Sequence, residues 1–172
     1  EIQSRLKELW NYERVGMPFE RGGRWFYSYN SGLQNQSVLM TGDSLEAKAA
    51  VLLDPNTMSK DGTTSLTDYE PSEDGKLIAY GVSEAGSDWT TIRVRDIASG
   101  KDLDDVIQWV KFSGISWLKD GSGFFYARYD APKPGAALTA KNEFHKLYFH
   151  KLGTSQKDDL LVYERQDEPK WG

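Results

Sequence analysis

The sequence contains no cysteine, which excludes a disulfide framework, thiolate metal sites and a cysteine nucleophile. It has two histidines, His145 and His150. Five residues apart on one strand, they would point to opposite faces, a poor arrangement for a metal pair, and each reads as a surface or loop-edge residue. Serine-hydrolase chemistry needs a nucleophile, an imidazole and a carboxylate within hydrogen-bond reach. The nucleophile elbow Gly-x-Ser-x-Gly is absent, and so is the phosphate-cradling Gly-x-x-x-x-Gly-Lys. No apolar run approaches the ~20 residues that span a bilayer, and no signal-peptide pattern is present. A membrane partner is therefore not expected. The net charge of −5 argues against nucleic acid, whose partners carry clustered Lys and Arg. Nothing here calls for a cofactor or a metal.

What the sequence does have is aromatic side chains, six Trp, nine Tyr and seven Phe in 172 residues, most of them in strand-like runs. Those runs repeat. Ser72-Glu73-Asp74-Gly75-Lys76 is a tight-turn sequence followed by the short apolar run Leu77-Ile78-Ala79-Tyr80. Glycine accepts positive φ and aspartate caps its own turn, and the run is too short for a helix and suits a buried strand. The unit returns at Lys119-Asp120-Gly121-Ser122-Gly123-Phe124-Phe125-Tyr126, and a degenerate copy lies at Arg21-Gly22-Gly23-Arg24-Trp25-Phe26-Tyr27. Tyr27, Tyr80 and Tyr126 are thus spaced by about fifty residues, a repeat architecture.

Residues 1–10 read as a helix, with Ile2, Leu6 and Leu9 on one stripe. The remainder reads as three four-stranded units. The first takes residues 15–19, 25–29, 37–40 and 50–53, with Pro18 weakening its first strand. The second takes 65–69, 77–82, 90–96 and a weaker strand at 106–109. The third takes 114–118, 124–129, 146–151 and 160–163, with a long loop at 130–143. Units of this size match β-propeller blades, of which rings usually hold about four to eight. The expected fold is therefore all-β, a partial β-propeller of about three blades preceded by a short helix. A two-sheet sandwich is the competitor, and it would leave the repeat unexplained. The first residue is Glu rather than Met, the mark of a fragment or a processed chain.

Two loop sequences stand out. Gly86-Ser87-Asp88-Trp89 connects two strands of the second unit, and its aromatic residue reads equally as a turn anchor or as part of a binding rim. Val110-Lys111-Phe112-Ser113-Gly114 joins the second unit to the third. Composition favours a buried inter-blade role for Phe112, whereas a linker running towards a propeller's channel would let it project into the channel mouth.

Taken together, several ungapped stretches resemble the prolyl oligopeptidase family. They are Gly32-Leu33-Gln34-Asn35-Gln36-Ser37-Val38-Leu39, Leu53-Asp54-Pro55-Asn56, Tyr69 with Ser72-Glu73-Asp74-Gly75, Gly86-Ser87-Asp88-Trp89, Val110-Lys111-Phe112-Ser113 and Asp167-Glu168-Pro169-Lys170-Trp171. They occur in collinear order along essentially the whole chain. The resemblance implies a cytoplasmic serine peptidase that hydrolyses short peptides on the C-terminal side of proline. It pairs an α/β-hydrolase domain, which carries the Ser, Asp and His, with a seven-bladed gating propeller. By that resemblance residues 1–11 end the N-terminal segment of the hydrolase domain, and residues 12–172 form the first three blades. The triad lies elsewhere in the parent, so no catalytic residue is expected here and these residues alone should be inactive. The implied partners are proline-containing oligopeptides and the hydrolase domain of the same parent chain. Phe112 matches a phenylalanine that lines the substrate cavity. Asp88 matches an acidic residue at the domain interface, near a substrate-binding arginine, and Tyr12 falls at the domain junction. The cysteine the family usually carries shortly after that phenylalanine is replaced here by Gly114 or Ile115. A free-standing interaction propeller is the alternative, although the Gly-His and Trp-Asp signatures of the common scaffolding repeat are missing.

Overall fold

The computed structural model describes residues 2–137 and 139–171. Glu1, where the expected helix begins, and Gly172, where the expected third blade ends, lie outside the described residues. The chain forms two compact units, Glu1–Ser65 and Leu66–Gly172.

In the first unit, α1 (Ile2–Trp10) buries none of its side chains. Ile2, Leu6 and Leu9 share the expected stripe and are all exposed. A nine-residue helix is marginal by itself, so this stripe is an unfilled packing surface. The strands are β1 (Arg14–Val15), β2 (Phe19–Arg21), β3 (Arg24–Asn30), β4 (Val38–Gly42) and β5 (Ala50–Leu53). The single strand expected at 15–19 is in fact two pieces. Both pair with β3, at opposite ends, through Arg14–Asn30 and Arg21–Arg24. Pro18 lies between them, where its missing N–H costs no ladder bond. Phe26 is fully buried and stacks on Phe19 with ring centroids 5.5 Å apart. Gly22 and Gly23 both have positive φ, as a two-residue hairpin turn requires.

The second unit holds β6 (Ser65–Pro71), β7 (Leu77–Ser83), β8 (Thr90–Asp96), β9 (Asp102–Val110), β10 (Ser116–Trp117), β11 (Gly123–Arg128), β12 (Lys146–Lys151) and β13 (Leu160–Glu164). They form two successive antiparallel meanders, β6 to β9 and β10 to β13, joined where Val110 of β9 pairs with Arg128 of β11. Two further bonds tie the meanders together. The Ile115 N–H donates to the Asp68 carboxylate at 3.2 Å, and the Trp117 indole N–H donates to the Glu70 carbonyl at 2.8 Å. The strand expected only at 106–109 extends over nine residues. Its polar start, Asp-Leu-Asp-Asp, looks like a turn in sequence but is held by side-chain partners.

The backbone turn of the repeat recurs in its second and third copies, at residues 72–77 and 118–123. In the second copy Ser72 N–H donates to the Leu77 carbonyl and Gly75 N–H to the Ser72 carbonyl. In the third, Leu118 N–H donates to Gly123 and Gly121 N–H to Leu118. Asp74 accepts from the Ser72 hydroxyl and the Lys76 N–H, and these bonds hold its carboxyl down at about 2. Asp120 also accepts an N–H and a hydroxyl, both from Ser122.

The aromatic ends of these two copies share a second device. The Tyr80 hydroxyl donates to Asp102 at 3.0 Å, and Arg95 donates to the same carboxylate at 2.7 Å. The Tyr126 hydroxyl donates to Asp159 at 2.6 Å, and His150 donates to it at 2.7 Å. Arg95 pairs across the sheet with Ile78, and His150 with Phe124, so each sits opposite the residue two before its tyrosine, in matching places. Burial pushes the Tyr80 hydroxyl up to about 12, and Tyr126 higher still. His150 is therefore not a surface residue: it is fully buried, with its other nitrogen 2.9 Å from Asp105.

Candidate functional site

The end of β9 is where the backbone departs from regular geometry. Thr90 pairs with Val110 and Ile92 with Ile107, so β9 carries an extra residue and bulges. A bulge bends a strand and re-aims the side chains beyond it. Trp109 sits at φ 64° and Phe112 at φ 54°. Left-handed conformations are uncommon for bulky residues and cost about 1–3 kcal/mol each, so the surroundings must enforce them.

The enforcing contacts are visible. Tyr129 N–H donates to the Trp109 carbonyl at 3.2 Å. His145 lies with Nε2 3.0 Å from the Lys111 carbonyl, which can only accept, so Nε2 carries the proton. The ring stacks on Tyr129 at 4.5 Å, and burial lowers the His145 pKa. Ala127 N–H donates to the Ser113 hydroxyl at 2.7 Å. Locked on both sides, Phe112 is 69% exposed, which overturns the buried inter-blade reading.

Asp88 approaches from the β7–β8 connection. That loop turns through Ala85 and Gly86, both at positive φ, and the Ser83 hydroxyl donates to the Ser87 carbonyl. Trp89 is the anchor: its indole N–H donates to the Ala137 carbonyl at 2.7 Å, and its ring meets Trp109 edge-on at 5.6 Å. Asp88 is the rim, with its side chain largely exposed. A cleft of about 290 Å³ results, lined by Thr67, Ser87, Asp88, Thr90, Val110, Phe112 and Ser113. The ammonium of Lys111 lies behind it, 3.6 Å from the Asp88 carboxylate.

Two of the three sequence-predicted site residues, Phe112 and Asp88, thus line one cleft. Tyr12 belongs to the first unit, where it is exposed and lies 5.6 Å from the Arg14 guanidinium. A larger cleft, about 950 Å³, runs between residues 103–106 and 152–157 and includes none of the three. Among the described residues no group of three or more His, Asp or Glu is placed to hold a metal. No described helix is long and apolar enough to cross a membrane. Nothing in the sequence marks Lys111 as a site residue, because a lysine that folds back among aromatics has no local signature.

The family model described as "Prolyl oligopeptidase, N-terminal beta-propeller domain" matches residues 1–172. The chain belongs to the prolyl oligopeptidase family. It is 48% identical to the prolyl endopeptidase of Elizabethkingia meningoseptica over 94% of its own length and 23% of the relative's. It is 36% identical to the dual function macrocyclase-peptidase POPB of Galerina marginata, over 94% of this chain and 25% of that one. Among solved structures, one from a study of two prolyl endopeptidases superposes with a TM-score of 0.83 at 40% identity, covering 98% of this chain and 23% of the other. Prolyl oligopeptidase B of Galerina marginata, bound to a 35mer hydrolysis and macrocyclisation substrate, superposes with a TM-score of 0.86 at 33% identity. It covers 98% of this chain and 26% of that structure. The chain therefore spans about a quarter of the relatives it matches, in the region of their N-terminal propeller. The three repeated units are accordingly part of a β-propeller of the prolyl oligopeptidase type, preceded by one short helix.

Proposed function

We propose that this chain is the gating propeller portion of a serine peptidase that hydrolyses short peptides on the C-terminal side of proline. The observation that carries the reading is the match of all 172 residues to the N-terminal propeller of that family. In this reading the chemistry, acyl transfer through a serine, a histidine, an aspartate and an oxyanion hole, belongs to an α/β-hydrolase domain of the same parent chain. The propeller narrows the approach so that only oligopeptides reach it. Phe112 supplies an apolar wall of the substrate cavity, and Asp88 and Tyr12 face the hydrolase domain. Residues 1–11 belong with that domain and residues 12–172 with the first three of seven blades. Two features support this division. The apolar stripe of α1 is exposed, and Leu160, Leu161, Val162 and Tyr163 leave an apolar strand uncovered, as a blade awaiting a neighbour would. The reading extends to a cytoplasmic location.

Mass spectrometry of a proline-containing oligopeptide incubated with the full-length enzyme tests the proposal. Cleavage after proline, blocked by a serine-directed inhibitor, is expected, while residues 1–172 alone should give no product. Turnover by those residues alone, or cleavage elsewhere by the full-length enzyme, contradicts it.

A further inference from the structure

Lysine is almost never buried unless paired, yet the Lys111 side chain is only 10% exposed beside the most solvent-facing aromatic of the cleft. Its ammonium donates to Asn142 Oδ1 at 3.2 Å and lies 3.6 Å from Asp88. It also sits 4.9 Å from the Trp89 ring centre and 5.4 Å from that of Phe112. These four partners come from three segments, the β7–β8 connection, the end of β9 and the long loop before β12. The backbone at the same point is held by other groups, since His145 fixes the Lys111 carbonyl and Ser113 is bonded to Ala127. The ammonium is thus not needed to make the turn. What it does hold is the Phe112 ring, whose exposure leaves it few other contacts, and the carboxylate opposite.

We propose that Lys111 is a positioning residue that clamps the Phe112 ring and neutralises Asp88, so that the cleft offers the peptide one fixed, apolar wall. This rests on the proposed substrate-facing role of the cleft, and it adds a specificity consequence. With the ammonium gone, the Phe112 ring swings free and Asp88 loses the cation at its back, so the cleft should lose affinity for neutral peptides and shift its preference towards those carrying Arg or Lys.

The test uses the full-length enzyme with Lys111→Met, which keeps the aliphatic stem, Lys111→Arg, which keeps the charge, Phe112→Ala, and the Met/Ala double variant. A cation held over an aromatic ring predicts that Lys111→Met raises KM for a neutral proline-containing oligopeptide about fivefold, with a smaller change in kcat. Lys111→Arg keeps a cation beside the aromatic faces but in a larger, planar group, so it should recover part of the loss, with KM between wild type and Lys111→Met. If Lys111 acts through Phe112, the double variant should match Phe112→Ala alone rather than multiply the two effects. The KM ratio between Glu-bearing and Arg-bearing peptides should rise in Lys111→Met. Independently of activity, 4-fluorophenylalanine at position 112 should give one displaced fluorine resonance in wild type that moves towards the unstructured position in Lys111→Met. An unmoved resonance, or multiplicative effects in the double variant, overturns the clamp. An enzyme that does not cleave after proline overturns the functional reading instead, and the fluorine resonance still judges the clamp.

Discussion

His150 shows how a single side chain can tie two strands and a loop together. Its Nδ1 lies 2.7 Å from Asp159 and its Nε2 2.9 Å from Asp105. Two carboxylate acceptors, one on each ring nitrogen, favour the imidazolium, which can donate to both. Burial by itself lowers the pKa, and the bonds to Asp159 and Asp105 outweigh it, raising the value above the ordinary 6.5. Three titratable groups face the cluster from the packed elements: Asp105 on β9, Asp159 ahead of β13 and Tyr126 on β11. With the folded pKa above the unfolded one, the stabilisation is complete below about pH 6.5 and disappears as pH rises through the folded value. Urea midpoints should therefore fall as pH rises above about 6.5. His150→Gln should remove that slope and destabilise by about 3–5 kcal/mol, because it strands buried carboxylates. A pH-independent difference between wild type and variant contradicts the imidazolium. The period-2 rule does not decide how His145 stands to His150, because β12 begins at Lys146. It does not reveal the burial of His150, because the carboxylates that permit it come from 9 and 45 residues away.

Among the elements, the turn-and-strand unit is the most legible part of the chain. Asp-Gly and Gly-Ser sequences fix their own hydrogen bonds locally, and the apolar runs behind them are short, so β3, β7 and β11 fall where the sequence puts them. The ends of strands are less legible. Pro18 splits one strand, and the start of β9 is strand only because Asp102 and Asp105 find partners on other segments. The bulge at Trp109 has no local signature, since neither glycine nor asparagine marks its positive φ. Gly123, by contrast, has a definite steric role in the third copy of the unit. A Cβ there would lie 2.7 Å from the Phe149 ring and would run into the His150 backbone carbonyl. Gly123→Ala should thus cost about 1–3 kcal/mol by overpacking, read as a lower denaturation midpoint with unchanged m-value. An unaffected midpoint would mean that β11 and β12 have room the register does not suggest.

At the scale of the whole molecule, repetition carries the fold and resemblance carries the function. Tyr27, Tyr80 and Tyr126 mark three units without any knowledge of relatives, and the structure builds antiparallel meanders at each. No comparable signal exists for chemistry, because in the proposed reading this part of the parent contributes walls rather than reacting groups. The loops that hold Phe112 and Asp88 stand out in the sequence by themselves, but the substrate cavity and the domain interface are assigned to them only through the family resemblance. Physics explains their conformation afterwards, through a bulge, two left-handed residues and an aromatic bed. The claim on which this account turns is that Phe112 faces the peptide substrate. The most direct measurement replaces Phe112 with p-benzoylphenylalanine in the full-length enzyme and irradiates it with an uncleavable proline-containing oligopeptide. The account predicts a covalent enzyme–peptide adduct, mapped to position 112 and suppressed by excess unmodified peptide. The absence of an adduct, with the peptide still inhibiting the enzyme, would contradict it.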